Sequence, residues 1–274
     1  MFKTILLHVD DSPLMEARLQ AAASLANAHG AHLVGAAATG MSWPAYAMLS
    51  GPMGVAPGDE FESLRTLART CLARFAKRAR QLGVQSIEER MLEDENRDAL
   101  LLQSRYADLV VTGQDAGDPA TVRGLPQYLA LHGVRPVLAV PPSYAGAPIG
   151  ETIVVGWDAS VAALRAIDAA LPLLVRARAV RLVLVNPELE PGLHGEEPGA
   201  DMALYLARHG VRVEVLIERP QVPAGQALLE VVAAGGADLL VTGAYGHSRY
   251  REIVMGGVTR ILLERAQVPV LFAH

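Results

Sequence analysis

The sequence predicts an α/β chain built from two doubly wound, five-stranded parallel-sheet domains in tandem. Three observations predict it. Apolar runs rich in Val, Ile and Leu alternate with segments whose apolar residues recur at helical spacing, the pattern of a parallel sheet covered on both faces. That pattern is written twice: Thr4-Ile5-Leu6-Leu7-His8-Val9-Asp10 matches Thr152-Ile153-Val154-Val155-Gly156-Trp157-Asp158, 148 positions later. Ala107-Asp108-Leu109-Val110-Val111-Thr112-Gly113 matches Ala237-Asp238-Leu239-Leu240-Val241-Thr242-Gly243, 130 positions later, and Pro136 matches Pro269, 133 positions later. A repeat of this kind is the mark of a duplicated folding unit. Finally, Pro141-Pro142-Ser143-Tyr144-Ala145-Gly146-Ala147-Pro148 has linker composition. It places one domain at 1–145 and the other at 150–274.

The elements of the second copy follow in order. Thr152–Gly156 is a short β-branched strand, and Ser160–Leu174 has helical spacing. Arg181–Val185 is a strand, Met202–His209 a helix and Val211–Leu216 a strand. Ala224–Ala234 is a helix, Ala237–Thr242 a strand, Gly257–Arg265 a helix and Pro269–Ala273 the closing strand. In the first copy the changing offset, 148 and then 130, places 18 extra residues between its first and fourth strands. Much of that excess is Thr39–Asp59, read as a loop rich in Gly, Pro and Met. Its stretch Trp43–Leu49 is apolar for a loop and reads as a lid packed over its own domain, with a partner surface as the alternative. The closing strands Pro136–Val140 and Pro269–Ala273 are apolar and fall at sheet edges, where they invite pairing. Pairing with each other would make an intramolecular pseudo-dimer, and a further homodimer stays open.

Composition narrows the function. The 274 residues carry 24 basic and 29 acidic side chains, a net charge of −5, with no basic run that would favour nucleic acid or an anionic membrane. No window is apolar for long enough to span a bilayer. The single cysteine, Cys71, fits a helix-facing apolar position and a reducing compartment, so the expected location is the cytoplasm. The eight histidines are scattered without metal-ligand spacing, and no nucleophile elbow is present. His8 ends an apolar strand and reads as a buried histidine with its bonds satisfied.

In open parallel sheets, ligands sit at the carboxyl ends of strands near the switch in strand order. There the second copy has Gly243-Ala-Tyr-Gly246-His247-Ser-Arg249-Tyr-Arg-Glu-Ile-Val-Met-Gly256-Gly257-Val258-Thr259. Gly243 and Gly246 permit a tight turn with positive φ and close backbone approach. Gly256-Gly257 opens a helix whose free N–H groups and positive dipole end suit a phosphate. His247 and Arg249 lie between the glycine turns, within reach of phosphates.

The spacing Gly243-x2-Gly246-x9-Gly256 with Val258-Thr259 resembles the ATP-binding signature of the universal stress protein family. The flanking Asp-ended strand, the Ala-Asp-Leu-Leu-Val-Thr-Gly strand and the closing Val-Pro-Val-Leu-Phe strand agree with it, and the doubling is similar to the family's tandem members. The resemblance implies a Rossmann-like fold of the adenine nucleotide alpha hydrolase-like kind. It also implies a site for ATP or a related adenine nucleotide. Asp158, flanked by Trp157 and Ala159, would lie near adenine and ribose, and Val185 against adenine. Thr242, Gly243 and Gly246 would form the ribose and phosphate turn. Gly256, Gly257, Val258 and Thr259 would form the phosphate cradle, and Mg or Mn would come with the phosphates. Gly257 stands where the family's ATP binders have Ser, Thr or Asn, which removes a donor worth about 1 kcal/mol.

The first copy keeps Asp10 and Asp11 but continues from its fourth strand as Gly113-Gln114-Asp115-Ala116-Gly117, without the Gly-Gly helix start. Asp115 and Asp118 would repel phosphates, so the fold is expected there without the site. The glycine loop holds no lysine and no water-activating base, so hydrolysis is expected to be slow or nil. The leading expectation is a nucleotide-sensing regulator of a stress response. The alternatives are an interaction protein that binds no nucleotide and an adenylylating enzyme.

Overall fold

The computed structural model describes residues 1–50, 58–114, 124–189, 191–245 and 257–274. The first half runs β1 (Thr4–His8), α1 (Met15–His29), β2 (His32–Ala38), α2 (Trp43–Ser50), α3 (Gly58–Gln81), β3 (Ile87–Leu92), α4 (Asn96–Ser104), β4 (Leu109–Gly113), α5 (Leu125–His132) and β5 (Val137–Val140). The second half runs β6 (Thr152–Gly156), α6 (Val161–Leu174), β7 (Ala179–Val185), α7 (Ala200–Arg208), β8 (Val213–Glu218), α8 (Ala224–Gly235), β9 (Leu239–Gly243), α9 (Val258–Arg265) and β10 (Val270–Ala273).

All ten strands form one sheet in the order β3-β2-β1-β4-β5-β10-β9-β6-β7-β8. Each half has the doubly wound order, with parallel neighbours throughout. The halves meet where β10 pairs antiparallel with β5, Val270 opposite Ala139 and Phe272 opposite Val137. Each closing strand is the edge of its own half, and here the two edges cover each other at the centre of the continuous sheet. A buried side-chain bond spans the same seam, from Gln114 Nε2 to the Ala266 carbonyl at 3.1 Å.

Strand side chains alternate between two core layers, as a pleated sheet requires. Ile5, Leu7, Ile153 and Val155 face a layer built on α1, α3 and α6, with Leu25, Phe75, Ile167 and Leu174. Leu6, Val110, Val154 and Leu240 face the other, built on α4, α5, α8 and α9, with Leu100, Leu129, Leu228 and Leu262. The repeated Ala-Asp-Leu has a structural reason. Asp238 accepts from the backbone N–H groups of Gly150, Glu151 and Thr152 at 2.6, 3.0 and 3.0 Å. Asp108 does the same for Lys3 and Thr4 at 2.6 and 3.0 Å. Each carboxylate thus anchors the first strand of its half to the start of the fourth.

Two sequence readings are corrected. Trp43–Ser50 is helical, not a loop: the rings of Trp43 and Tyr46 gather on buried Phe61 of α3, at 5.1 and 5.5 Å between centroids. Tertiary aromatic packing therefore orders a stretch whose Pro, Gly and Met content reads as irregular. His8 is buried but only half satisfied: Arg18 lies 3.1 Å from Nδ1, while Nε2 has no partner among the described residues. Burial, with the Arg18 charge behind it, holds the His8 pKa down at about 4. Cys71 is buried on α3, facing the core.

Candidate nucleotide site in the second half

The carboxyl ends of β6, β7 and β9 converge with the start of α9. After β6 the chain turns through Trp157, Asp158 and Ala159 into α6. Asp158 Oδ1 accepts from the Ser160 N–H at 3.0 Å, and Ser160 Oγ caps α6 by accepting from the Ala163 N–H at 3.1 Å. The first half repeats the first of these bonds with Asp10 and Ser12 at 3.1 Å.

Among the described residues, three that are not glycine adopt the left-handed conformation: Ala159 at φ 60°, Asn186 at φ 49° and Tyr245 at φ 56°. They follow β6, β7 and β9, and among the described residues the first half has no such position. Strained backbone of this kind persists only where the surroundings over-determine it, and it clusters at ligand clamps. Of the three, Asn186 alone is a residue type whose side chain tolerates this region.

Three adjoining cavities meet at Trp157. One of about 130 Å³ is lined by Gly156, Asp158, Val185, Thr242, Gly243 and Val258 among others. A second of about 140 Å³ lies between Asp158, Val185, Asn186 and His194. The third, about 230 Å³, continues past His194 to Met202 and Tyr205. The structure therefore brings together Trp157, Asp158, Val185, Thr242, Gly243 and Val258. Asn186, His194 and Leu228 join them without having been read from the sequence. Leu228 is an ordinary apolar helix residue in the chain, and His194 sits in a segment with no periodicity.

Gly243 is present for close approach and not for a positive φ. A Cβ there would stand 2.5 Å from the Ala163 nitrogen and 2.7 Å from the Ala162 carbonyl carbon, both main chain of α6. Gly257 is the residue before α9, which starts at Val258, and among the described residues no side chain caps this helix. Its first N–H groups are therefore left to backbone, solvent or a ligand. Thr259 is 1% exposed, and its hydroxyl accepts from the Tyr245 N–H at 3.3 Å. Gly246, His247, Arg249 and Gly256 lie outside the described residues. Among the described residues, no three His, Cys, Asp or Glu side chains gather as a metal site, and no helix is long and apolar enough to cross a membrane.

The model of the Universal stress protein family matches residues 150–274. This C-terminal half belongs to the universal stress protein family. Two universal stress proteins of Mycobacterium tuberculosis strains are each 31% identical over 137 residues, 46% of this chain and 48% of the relative. The chain thus matches about half the length of these curated relatives. Among solved structures, a universal stress protein of Archaeoglobus fulgidus superposes with a TM-score of 0.75 at 16% identity, over 98% of this chain and 95% of the other. A functionally unknown protein of Pseudomonas aeruginosa gives 0.60 at 15% identity, over 99% and 92%. These two likenesses extend the universal stress protein fold across both halves.

Proposed function

We propose that residues 150–274 form a domain binding ATP or a related adenine nucleotide, and that the chain works as a nucleotide-responsive regulator in a stress response. The observation that carries this reading is the set of cavities that meet at Trp157, lined by Asp158, Val185, Asn186, Thr242, Gly243 and Val258, with left-handed backbone at Ala159, Asn186 and Tyr245 in the turns after β6, β7 and β9. The start of α9 at Gly257 supports it, because a glycine cap offers no side-chain acceptor and the helix dipole favours a phosphate.

In this reading adenine lies against Val185 and Trp157, and ribose near Asp158 and Ala159. Thr242 and Gly243 give the phosphates room to pass, and Gly257, Val258 and Thr259 receive them. Gly246, His247, Arg249 and Gly256 complete the loop. Mg or Mn arrives with the phosphates and takes its remaining ligands from water. Domain 1–145 keeps the fold without a nucleotide site. The cytoplasmic location and the possible homodimer belong to the same reading.

Isothermal titration of the whole chain with ATP, ADP and AMP tests it. Saturable binding that Val185→Trp abolishes is expected. Absence of heat with all three, together with no nucleotide released on denaturing the purified protein, overturns it. The second reading, an interaction protein without nucleotide, is favoured by the inward-turned Thr259 hydroxyl and the bare Gly257, and that same outcome would support it.

A further inference from the structure

A larger cavity, about 790 Å³, lies in the first half over the carboxyl ends of β1, β2 and β3. That volume is in the range of small-molecule sites. Its origin is legible in the strands. β2 ends in Ala36-Ala37-Ala38, while its counterpart β7 ends in Val183-Leu184-Val185. Ala37 and Ala38 form an apolar floor, and Leu67, Ala68 and Cys71 of α3 form a wall. Leu67 remains 46% exposed, an apolar side chain left facing the opening.

The rim is predominantly acidic. Asp10 and Asp11 follow β1, and Asp94, Glu95 and Asp98 follow β3. Arg97 is the one cation among the lining residues, and its guanidinium lies 5.8 Å from the Tyr128 ring centre. Asp10 is paired with buried Arg18, and Asp98 accepts from the Tyr128 hydroxyl at 2.7 Å. Asp11, Asp94 and Glu95 are exposed at the mouth. The second half is less acidic at the same places. Ala159 stands for Asp11, and β8 is followed by Arg219-Pro220-Gln221-Val222-Pro223 with no acid.

We infer that this cavity binds an organic cation: an amine or quaternary ammonium carried on an aromatic or alkyl body. The apolar floor and wall remove the body from water. The carboxylate rim attracts the cationic head and disfavours a phosphate. A phosphate-bearing ligand would meet five carboxylates here, against Asp158 and Asp201 in the adjoining cavities of the second half. The inference stands independently of nucleotide binding by residues 150–274.

Dansylcadaverine, a fluorescent aryl amine, tests it on the whole chain against its neutral N-acetyl form. Saturable binding of the amine is expected, at least tenfold tighter than the acetylated form and weakened by salt. The variant D11N/D94N/E95Q should weaken the amine at least tenfold and leave the acetylated form unchanged. Ala38→Trp, which fills the floor, should weaken both. A reporter thiol at the wall, Leu67→Cys, should be alkylated by iodoacetamide several-fold more slowly with the amine bound. Equal affinity for the amine and its acetylated form, or unchanged alkylation of the reporter at saturating amine, overturns the inference. So does displacement of the amine by equimolar ATP, which would make the cavity a nucleotide site.

Discussion

The Tyr245 N–H donates to the Thr259 hydroxyl across the mouth of the glycine loop, at 3.3 Å. One bond thus ties the turn after β9 to the first turn of α9. Thr259 is almost fully buried. Losing a hydrogen bond at a buried site costs about 1–3 kcal/mol. Thr259→Val is expected to lose that much stability in urea unfolding, and Thr259→Ser to recover at least half of it. Equal losses for both would show that the methyl group, and not the hydroxyl, holds the turn.

Gly243 meets the backbone of α6, so adding a methyl group forces main chain to move. Gly243→Ala is expected to cost about 1–3 kcal/mol. Gly192→Ala is the control: its Cβ would meet nothing within 4 Å, and a change within about 0.5 kcal/mol is expected. Matched unfolding midpoints for the two variants would contradict the packing argument.

Stability should fall on mild acidification. His8 and His29 are both held down to about 4, mainly by burial, with the Arg18 charge assisting at His8 and the Arg176 charge at His29. In the unfolded chain each titrates near its ordinary value of about 6.5. Between those two values the unfolded state binds more protons. Stability is therefore full above about pH 6.5 and declines as pH falls toward 4. Unfolding free energies at pH 7.5, 6 and 5 measure the slope, and His8→Gln should flatten it. An unchanged slope would mean that His8 is not the group responsible.

Arg18 is 1% exposed, pairs with Asp10 and leaves its own Nε without a partner among the described residues. The matching position in the second half is Ala166. Deleting one member of a buried pair strands the other, typically at about 3–5 kcal/mol. Arg18→Met should approach the low end of that range, because Asp10 retains some solvent contact. Adding Asp10→Asn should restore part of the loss. An additive double variant would show that the two side chains are not coupled.

Much of the fold is legible along the chain because its signals are local. Thr152–Gly156 is the observed β6 to the residue, and Ser160 is the observed cap of α6. The Ala-Asp-Leu repeat marks β4 and β9 because the same carboxylate performs the same anchoring in both halves. Arg18 was not legible: an arginine in a helix reads as a surface residue, and only the approach of Asp10 and His8 shows why it is buried. The small end of β2 was legible as composition, but its meaning required α3 to stand opposite it. Ala159 and Tyr245 carry no residue-type signal for a left-handed backbone.

The sequence by itself determined the two-copy α/β plan, the strand that carries the glycine loop and the loss of that motif from the first copy. These rest on periodicity, on turn-forming residues and on comparison of one half with the other. The sequence marked the two closing strands as edges that invite pairing, and the tertiary structure decided that they pair with each other, antiparallel, and join both copies into one sheet. The tertiary structure also decided that the larger cavity lies in the first half, rimmed by acids, while the strained turns gather in the second. Those features depend on residues far apart in the chain meeting across strand ends, where shape and charge are set by packing and not by local pattern.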